Sequence, residues 1–330
     1  MKAIVQDRYG AADTLEFKEV DRPAATGDRV LVRVRAAAVN AYDWHVMRGD
    51  PRLARLSVGF TRPRARIRGR DFAGRVEAVG PAVTRFRPGD EVYGDLGPVD
   101  GALAEYVSVA EDLVAPKPAG LTPEQAAALP LAGVTALMGV RDLGQAGPGR
   151  RILINGASGG VGTFAVQLAK AFGAEVTGVC STRNIELVRS LGADHVVDYT
   201  REDFTTDGRR YDVLIDLVGN RSLADYRRAL TPTGTLILSG GGAYQGGSLL
   251  GPMRLILRGK LLSRFVRQRL LVLTAVPSRR ALAVLGQLAE AGALTPVIDR
   301  TYPLPAAADA LRYLEGGHAP AKVVITVWEP

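Results

Sequence analysis

The sequence predicts an α/β chain in two parts: a compact, mostly β unit, and a doubly wound parallel sheet with helices on both faces. Residues 1–116 read as short β-runs broken by Gly and Pro, whereas from Arg150 onward strand-like and helix-like segments alternate at the spacing of βαβ units. Length agrees, since 330 residues and 35.1 kDa exceed one typical core and suit two.

In the first part, Val30 to Val34 alternates around Arg33, and Gly74 to Val79 and Glu91 to Gly94 are short strands bounded by turn signals such as Pro88-Gly89-Asp90. Thr122-Pro123-Glu124 opens an apolar helix, with Thr122 as N-cap, Pro123 at the first helical position and an acid in the first turn. Strand Ile152–Asn155 then leads through a glycine loop into a helix from Thr163 to Phe172 that closes at Gly173. Strand Val176–Cys180, a helix around Asn184–Leu191 and a short strand His195–Val197 follow. Next come strand Val213–Leu217, a helix near Ser222–Leu230 and strand Leu236–Ser239. The helix Ser278–Glu290 and the strand Lys322–Val327 are too short for a domain and are expected to complete the first unit. The expected division is therefore residues 1–121 completed by 277–330, and residues 122–276.

Composition narrows the function. Hydrophobic residues at 47% and charged residues at 23% exclude wholesale disorder, and the 38 glycines follow no fixed period, which excludes collagen-like and low-complexity chains. The single cysteine, Cys180, excludes a disulfide framework and any multi-cysteine zinc site, and reads as a small buried hydrophobe. Lys and Arg number 42 against 34 acids, giving +8, and only six of the 42 are lysine. Arginine enrichment fits a compositional habit of the source, or attraction to anions. Aromatics are 6%, without a base-stacking set, so no nucleic-acid partner is expected. The opening MKAIVQDRYG has no apolar secretory core, and no run of about 18 apolar residues occurs, so the chain is expected to be cytoplasmic and without an integral membrane segment.

The chemistry-bearing segment is Ile152-Leu153-Ile154-Asn155-Gly156-Ala157-Ser158-Gly159-Gly160-Val161-Gly162-Thr163. A buried strand feeds a glycine turn that opens directly into a helix, the context in which such a pattern marks a dinucleotide site. Glycines let the backbone approach a pyrophosphate, and free N–H groups at the helix start bind the anion. The strict G-x-G-x-x-G is not met, because Ala157 stands at the first glycine position and Gly156 one step earlier. A site for NAD wants an acid at the end of the next strand, about 20 residues on. Here that strand ends Val179-Cys180-Ser181-Thr182-Arg183, with no carboxylate. Ser181 can donate a hydrogen bond to a 2′-phosphate and Arg183 can neutralise it, so NADPH is the expected cofactor.

Further segments accompany this loop. They are the opening MKAIV, Ala36-Ala37-Ala38-Val39-Asn40 with Asp43, Gly69-Arg70-Asp71-Phe72-Ala73-Gly74, Arg87-Pro88-Gly89-Asp90, Leu131-Ala132-Gly133-Val134-Thr135-Ala136, Leu191-Gly192-Ala193, Asp216 and Lys322-Val323-Val324. Over essentially its whole length the chain resembles the medium-chain dehydrogenase/reductase superfamily, in particular its zinc-free quinone-oxidoreductase (zeta-crystallin-like) branch. The resemblance implies a GroES-like β-rich catalytic domain and a Rossmann domain with substrate between them, and a homodimer or tetramer pairing near Leu270–Ala275.

Zinc-bearing relatives place a Cys at the position of Asn40, a His at Arg70 and a second Cys at Leu131. Arg stays protonated and Leu has no lone pair, so no metal is expected. Without a metal to polarise oxygen, dehydrogenation of simple alcohols is disfavoured. A quinone or an α,β-unsaturated carbonyl needs less help, because it takes hydride at carbon and spreads the charge onto oxygen. The resemblance sets Asn40 as substrate-side donor, Asp43 as positioner, and His45 where the branch often has Tyr, as a candidate proton donor. Arg70 is left to pair with Asp71 or Asp43, or to meet phosphate or substrate. Around the cofactor the resemblance places Thr135, Ser158, Gly159, Gly160, Val161, Ser181, Tyr199, Leu217, Gly219 and Gly240. The expected activity is zinc-independent, NADPH-dependent reduction of a small hydrophobic quinone or enone. The alternatives are an enoyl thioester or aldehyde as acceptor, or a NADPH-binding protein with an association role.

Two features lie outside this scheme. Arg52, Arg55, Arg62, Arg64, Arg66, Arg68 and Arg70 punctuate a Pro-containing stretch. From Gly251 to Leu270, Leu255, Ile256, Leu257, Leu261, Leu262 and Phe265 interleave with Arg254, Arg258, Lys260, Arg264, Arg267 and Arg269. Such a basic amphipathic segment suits a cleft cover, a partner subunit or an anionic membrane.

Overall fold

The computed structural model describes residues 1–239, 251 and 253–328. The chain begins with β1 (Lys2–Gln6), β2 (Leu15–Glu19) and β3 (Arg29–Val39), followed by helices α1 (Ala41–Arg48) and α2 (Arg55–Val58). Strands β4 (Asp71–Val79), β5 (Glu91–Asp95), β6 (Tyr106–Ala110) and β7 (Val114–Pro116) lead to helices α3 (Pro123–Ala128) and α4 (Pro130–Leu137). The alternating part runs β8 (Arg151–Asn155), α5 (Gly160–Ala171), β9 (Glu175–Cys180), α6 (Ile185–Ser190), β10 (His195–Asp198), β11 (Tyr211–Asp216), α7 (Leu223–Ala229), β12 (Leu230–Leu238), α8 (Met253–Leu262) and β13 (Arg269–Val272). The chain closes with α9 (Arg279–Glu290), β14 (Ile298–Pro303), α10 (Ala307–Glu315) and β15 (Lys322–Thr326).

Residues 1–134 with 276–328 form one compact unit. Its sheet has the order β14-β15-β3-β4-β5-β7, with β6 also paired to β3. In β3, Val30, Val32 and Val34 are buried while Arg33 is partly exposed, the alternation expected of a strand with one face on a core. The returning β15 pairs antiparallel with β3, Val323 opposite Val39. This unit reaches Val134, past the expected boundary at residue 121. The reason is the Ala126–Ala128 run of α3, fully buried, which packs on β3, β4 and β15. Thr122 caps α3 as expected: its hydroxyl accepts the Gln125 N–H at 3.2 Å while Gln125 Oε1 accepts the Thr122 N–H at 3.0 Å.

Residues 135–239, 251 and 253–275 form the second unit. Its six strands, in order β10-β9-β8-β11-β12-β13, are all parallel. Ile152, Leu153 and Ile154 are each completely buried, as a strand covered on both faces requires. The order reverses between β8 and β11, and the loop after β8 therefore leaves the sheet at its topological switch point. Helix α5 starts at Gly160, three residues before the expected Thr163, because the turn that precedes it ends at Gly159. Strand β12 is longer than expected, starting at Leu230.

Candidate functional site

In the second unit, the end of β8 turns at Gly156, whose φ of +89° lies in the left-handed region open to glycine. Gly162 packs beneath that turn so closely that a Cβ would lie 2.1 Å from the Gly156 carbonyl oxygen. Gly159 is the N-cap of α5 and brings no side chain to its first-turn amides. A Cβ at Gly159 would meet only the Gly156 carbonyl oxygen, at 3.4 Å. Ser158, Gly159, Gly160 and Val161 are all half-buried. This glycine-shaped cradle at a switch point, with uncapped amides, fits the pyrophosphate of a dinucleotide.

Two asparagines and an aspartate fasten part of the set expected around the cofactor. Asn184 donates to Ser158 Oγ at 3.0 Å and to Ser181 Oγ at 3.4 Å, linking the glycine loop to the end of β9. Arg183, exposed, stands beside it in a short 3-10 turn. Tyr199 is exposed, and its N–H donates to the Cys180 carbonyl at 3.1 Å, which sets it alongside β9. Asp216 Oδ1 accepts from Asn155 Nδ2 at 2.9 Å and from the N–H groups of Val218 and Gly219 at 3.2 and 3.1 Å. The turn carrying Leu217 and Gly219 is thereby fastened to the end of β8. Thr135 is buried in α4, and Gly240 lies outside the described residues. Asp198 ends β10 opposite Cys180, beside the strand end that carries Ser181. Its carboxylate accepts the hydroxyls of Thr182 and Thr200 at 2.6 and 2.7 Å, bonds that hold it below its ordinary pKa.

In the first unit, Asn40 follows β3 and is the N-cap residue of α1. Asp43, at the third position of α1, accepts the Asn40 N–H at 2.7 Å. The Asn40 side chain bridges two charged groups. Its Nδ2 donates to Asp71 Oδ2 at 2.9 Å, and its Oδ1 accepts from Lys322 Nζ. A lysine can only donate and a carboxylate only accept, so these two neighbours dictate the amide's orientation. Lys322 and Asp71 are both buried, 3.8 Å apart, and Asp71 also accepts the Leu131 N–H at 3.0 Å. Burial lowers the Lys322 pKa and raises that of Asp71. In the sequence Lys322 marks the start of a strand and a segment of the family resemblance, with no site role attached.

His45, the candidate proton donor, is held between a ring and a backbone carbonyl. Its ring stacks on Trp44 at 3.6 Å, and Nδ1 sits 2.8 Å from the Asp50 carbonyl oxygen. A carbonyl only accepts, so Nδ1 donates to it, and burial lowers the His45 pKa below its ordinary value. Tyr42, not singled out beforehand, keeps its hydroxyl buried and protonated with no hydrogen-bond partner among the described residues.

Arg70 pairs with neither Asp71 nor Asp43. It forms a bidentate pair with Asp95, at 2.8 and 2.7 Å, because β4 and β5 set Asp71 opposite Asp95 and bring that carboxylate within its reach. The neighbouring arginines are likewise committed: Arg68 to buried Asp100 at 3.2 Å, Arg66 to Asp7 at 2.7 Å, and Arg55 to the Gly49 carbonyl at 2.9 Å. Among the described residues no cluster of three or more His, Cys, Asp or Glu is placed to hold a metal ion.

Burial pushes Asp43 up to about 6. A carboxyl with a folded pKa above its unfolded value near 4 stabilises the fold below that lower value, and the contribution fades as pH rises through about 6. The wild-type unfolding free energy is therefore expected to drop between pH 4 and pH 7, with Asp43 responsible for on the order of 3 kcal/mol. Urea unfolding of wild type and Asp43→Asn across that range checks this. Identical pH slopes would show that Asp43 titrates as an ordinary carboxylate.

Comparison with known proteins agrees with this geometry. Residues 26–119 match the family described as the alcohol dehydrogenase GroES-like domain, and residues 191–325 match the family described as zinc-binding dehydrogenase. The chain is 33% identical to quinone-oxidoreductase QR1, chloroplastic, of Triphysaria versicolor, over 98% of both chains. It is 35% identical to the NADPH-dependent alkenal/one oxidoreductase, chloroplastic, of Arabidopsis thaliana, over 98% of this chain and 79% of that one. The quinone oxidoreductase structure from Coxiella burnetii superposes with a TM-score of 0.86 at 31% identity, covering 99% of each chain. The chain belongs to the medium-chain dehydrogenase/reductase superfamily, within its zinc-free quinone-oxidoreductase branch.

Proposed function

We propose that this protein is an NADPH-dependent, metal-independent reductase of quinones or α,β-unsaturated carbonyls. One observation carries the reading. At Asn40, where zinc-bearing members place a cysteine, the side chain is an amide oriented by Lys322 and Asp71. One amide N–H is a weaker polariser than a Lewis acid, and suits an acceptor that delocalises its own negative charge. The names of the quinone and alkenal/one oxidoreductase relatives support the same substrate class.

NADPH, when bound, supplies the hydride. The chain's own residues do the rest. The backbone from Ser158 to Val161 receives the pyrophosphate, and Ser181 and Arg183 hold the 2′-phosphate, with Tyr199 beside them. Asp216 keeps the Leu217–Gly219 turn in place along the cofactor, and Thr135 lies toward the nicotinamide end. Asn40 turns its remaining Nδ2–H to the acceptor oxygen, Lys322 holding the opposite end of the amide. Asp43 fixes the backbone on which Asn40 stands.

The test is NADPH oxidation by the purified protein with 9,10-phenanthrenequinone and with an alkenal, beside NADP⁺ reduction with ethanol. Turnover of either of the first two and none of the third is expected. Brisk oxidation of ethanol overturns the reading, as does a quinone and alkenal rate no higher than without protein. A second measurement addresses the cofactor. Arg183→Glu is expected to weaken NADPH binding about 100-fold, because a charge-assisted pair is replaced by repulsion, and NADH binding by less than threefold. Equal losses for both nucleotides would remove Arg183 from the 2′-phosphate.

A further inference from the structure

The net charge of this protein is concentrated in one segment. Residues 226–289 contain ten Lys and Arg and no acid, whereas the other 266 residues carry 32 cations against 34 acids. Helix α8 lies inside this acid-free segment. One of its sides is fully explained by packing: Leu255, Ile256 and Leu262, with Val266 beyond the helix end, lie against the core formed by Leu236, Leu238 and Leu270. Gly259 lets that side sit close, since a Cβ there would be 3.2 Å from Leu238.

The opposite side is also apolar, and it faces outward. Leu257 is 51% exposed and Leu261 62%, and Phe265, in the turn just past the helix end, is 78% exposed. Arg254, Arg258, Lys260, Arg264 and Arg267 are exposed around this stripe. A helix needs one apolar side to join a core, so the second one calls for another partner.

We propose that the outer side of α8 is a docking surface for an anionic lipid bilayer. The leucines and Phe265 enter the acyl boundary, and the flanking cations meet the headgroup phosphates. Charge complementarity selects this occupant. A second copy of the chain docking through the same face would set this cationic patch against itself, since a two-fold interface matches a patch with its own copy. Nucleic acid would engage the arginines but leave the leucine stripe in water. Among the described residues no helix is long and apolar enough to cross a membrane, so the contact is peripheral.

The full-length protein is to be floated with vesicles of phosphatidylcholine, with and without one-third phosphatidylglycerol, at low and high salt. Binding is expected only to the anionic vesicles and only at low to moderate salt. A cation near such a surface contributes about fivefold in affinity, so Arg258→Gln with Arg264→Gln is expected to weaken binding about 25-fold. Leu257→Gln, Leu261→Gln and Phe265→Gln together are expected to reduce it more than tenfold. All five side chains are exposed, so the unfolding midpoints should match wild type and separate lost docking from lost folding. Equal binding to both vesicle types overturns the proposal, as does undiminished binding by either variant. So does a protein that ignores vesicles but dimerises through Leu261 or retards an RNA oligonucleotide. Vesicle binding is read without turnover, so this result is independent of the acceptor assignment.

Discussion

Replacing Asn40 with alanine is expected to lower kcat for quinone reduction by about 100-fold, the usual cost of deleting one donor that meets developing negative charge on oxygen. The KM for NADPH should move less than twofold, because the glycine cradle is untouched. Lys322→Met tests the same donor from behind. With the ammonium gone, nothing distinguishes the two ends of the Asn40 amide except Asp71, and that carboxylate is left buried without its cation. Removing one partner of a buried pair costs about 3–5 kcal/mol, so the unfolding midpoint should fall as well. Lys322→Met with Asp71→Asn removes both charges and should recover much of the stability but little of the kcat. The chain has four asparagines, so selective ¹⁵N-asparagine labelling can follow the Asn40 amide directly in each variant. If the double variant keeps kcat within twofold of wild type while the amide signal shifts, orientation by Lys322 has no bearing on turnover. If Asn40→Ala itself retains full kcat, the acceptor oxygen is met by another group.

How much of this could be read from the sequence depends on the range of each interaction. The parallel sheet was legible because strands covered on both faces read as unbroken apolar runs, as Ile152 to Ile154 do. The helix cap at Thr122 was legible because capping is local. The start of α5 was misplaced because Gly160, Val161, Gly162 and Thr163 are all poor helix formers, and packing of Gly162 on Gly156 overrides that preference. Asn40 and Lys322 stand 282 residues apart, and only the β3–β15 pairing brings them together. No local pattern encodes that contact. Arg70 shows the same limit at shorter range: Asp71 and Asp43 were the neighbours visible in the sequence, and sheet pairing supplied Asp95 instead. The surroundings of His45 were not legible because its hydrogen-bond partner, the Asp50 carbonyl, is a backbone group with no sequence signature.

The glycine loop allows the other large effect to be separated into folding and binding. Gly162→Ala places a methyl where a Cβ would be 2.1 Å from the Gly156 oxygen and 2.7 Å from the Ala157 carbonyl carbon. Both obstacles are backbone, so no side chain can swing aside, and either the turn or the first turn of α5 must shift. NADPH affinity is expected to fall at least 100-fold, with a clear drop in the unfolding midpoint. Gly159→Ala is the informative partner. Its φ is −78°, which any residue adopts, and its added methyl would meet only one atom, at an ordinary 3.4 Å. The fold should therefore accept it, with an unchanged unfolding midpoint. A phosphate lying against the uncapped amides of α5 would still encounter that methyl, so NADPH binding should weaken about tenfold. Calorimetric titration and thermal unfolding of the two variants distinguish the cases. Full NADPH affinity in Gly159→Ala would mean that the pyrophosphate does not approach this turn, and a lowered midpoint in that variant would mean that Gly159 serves the fold instead.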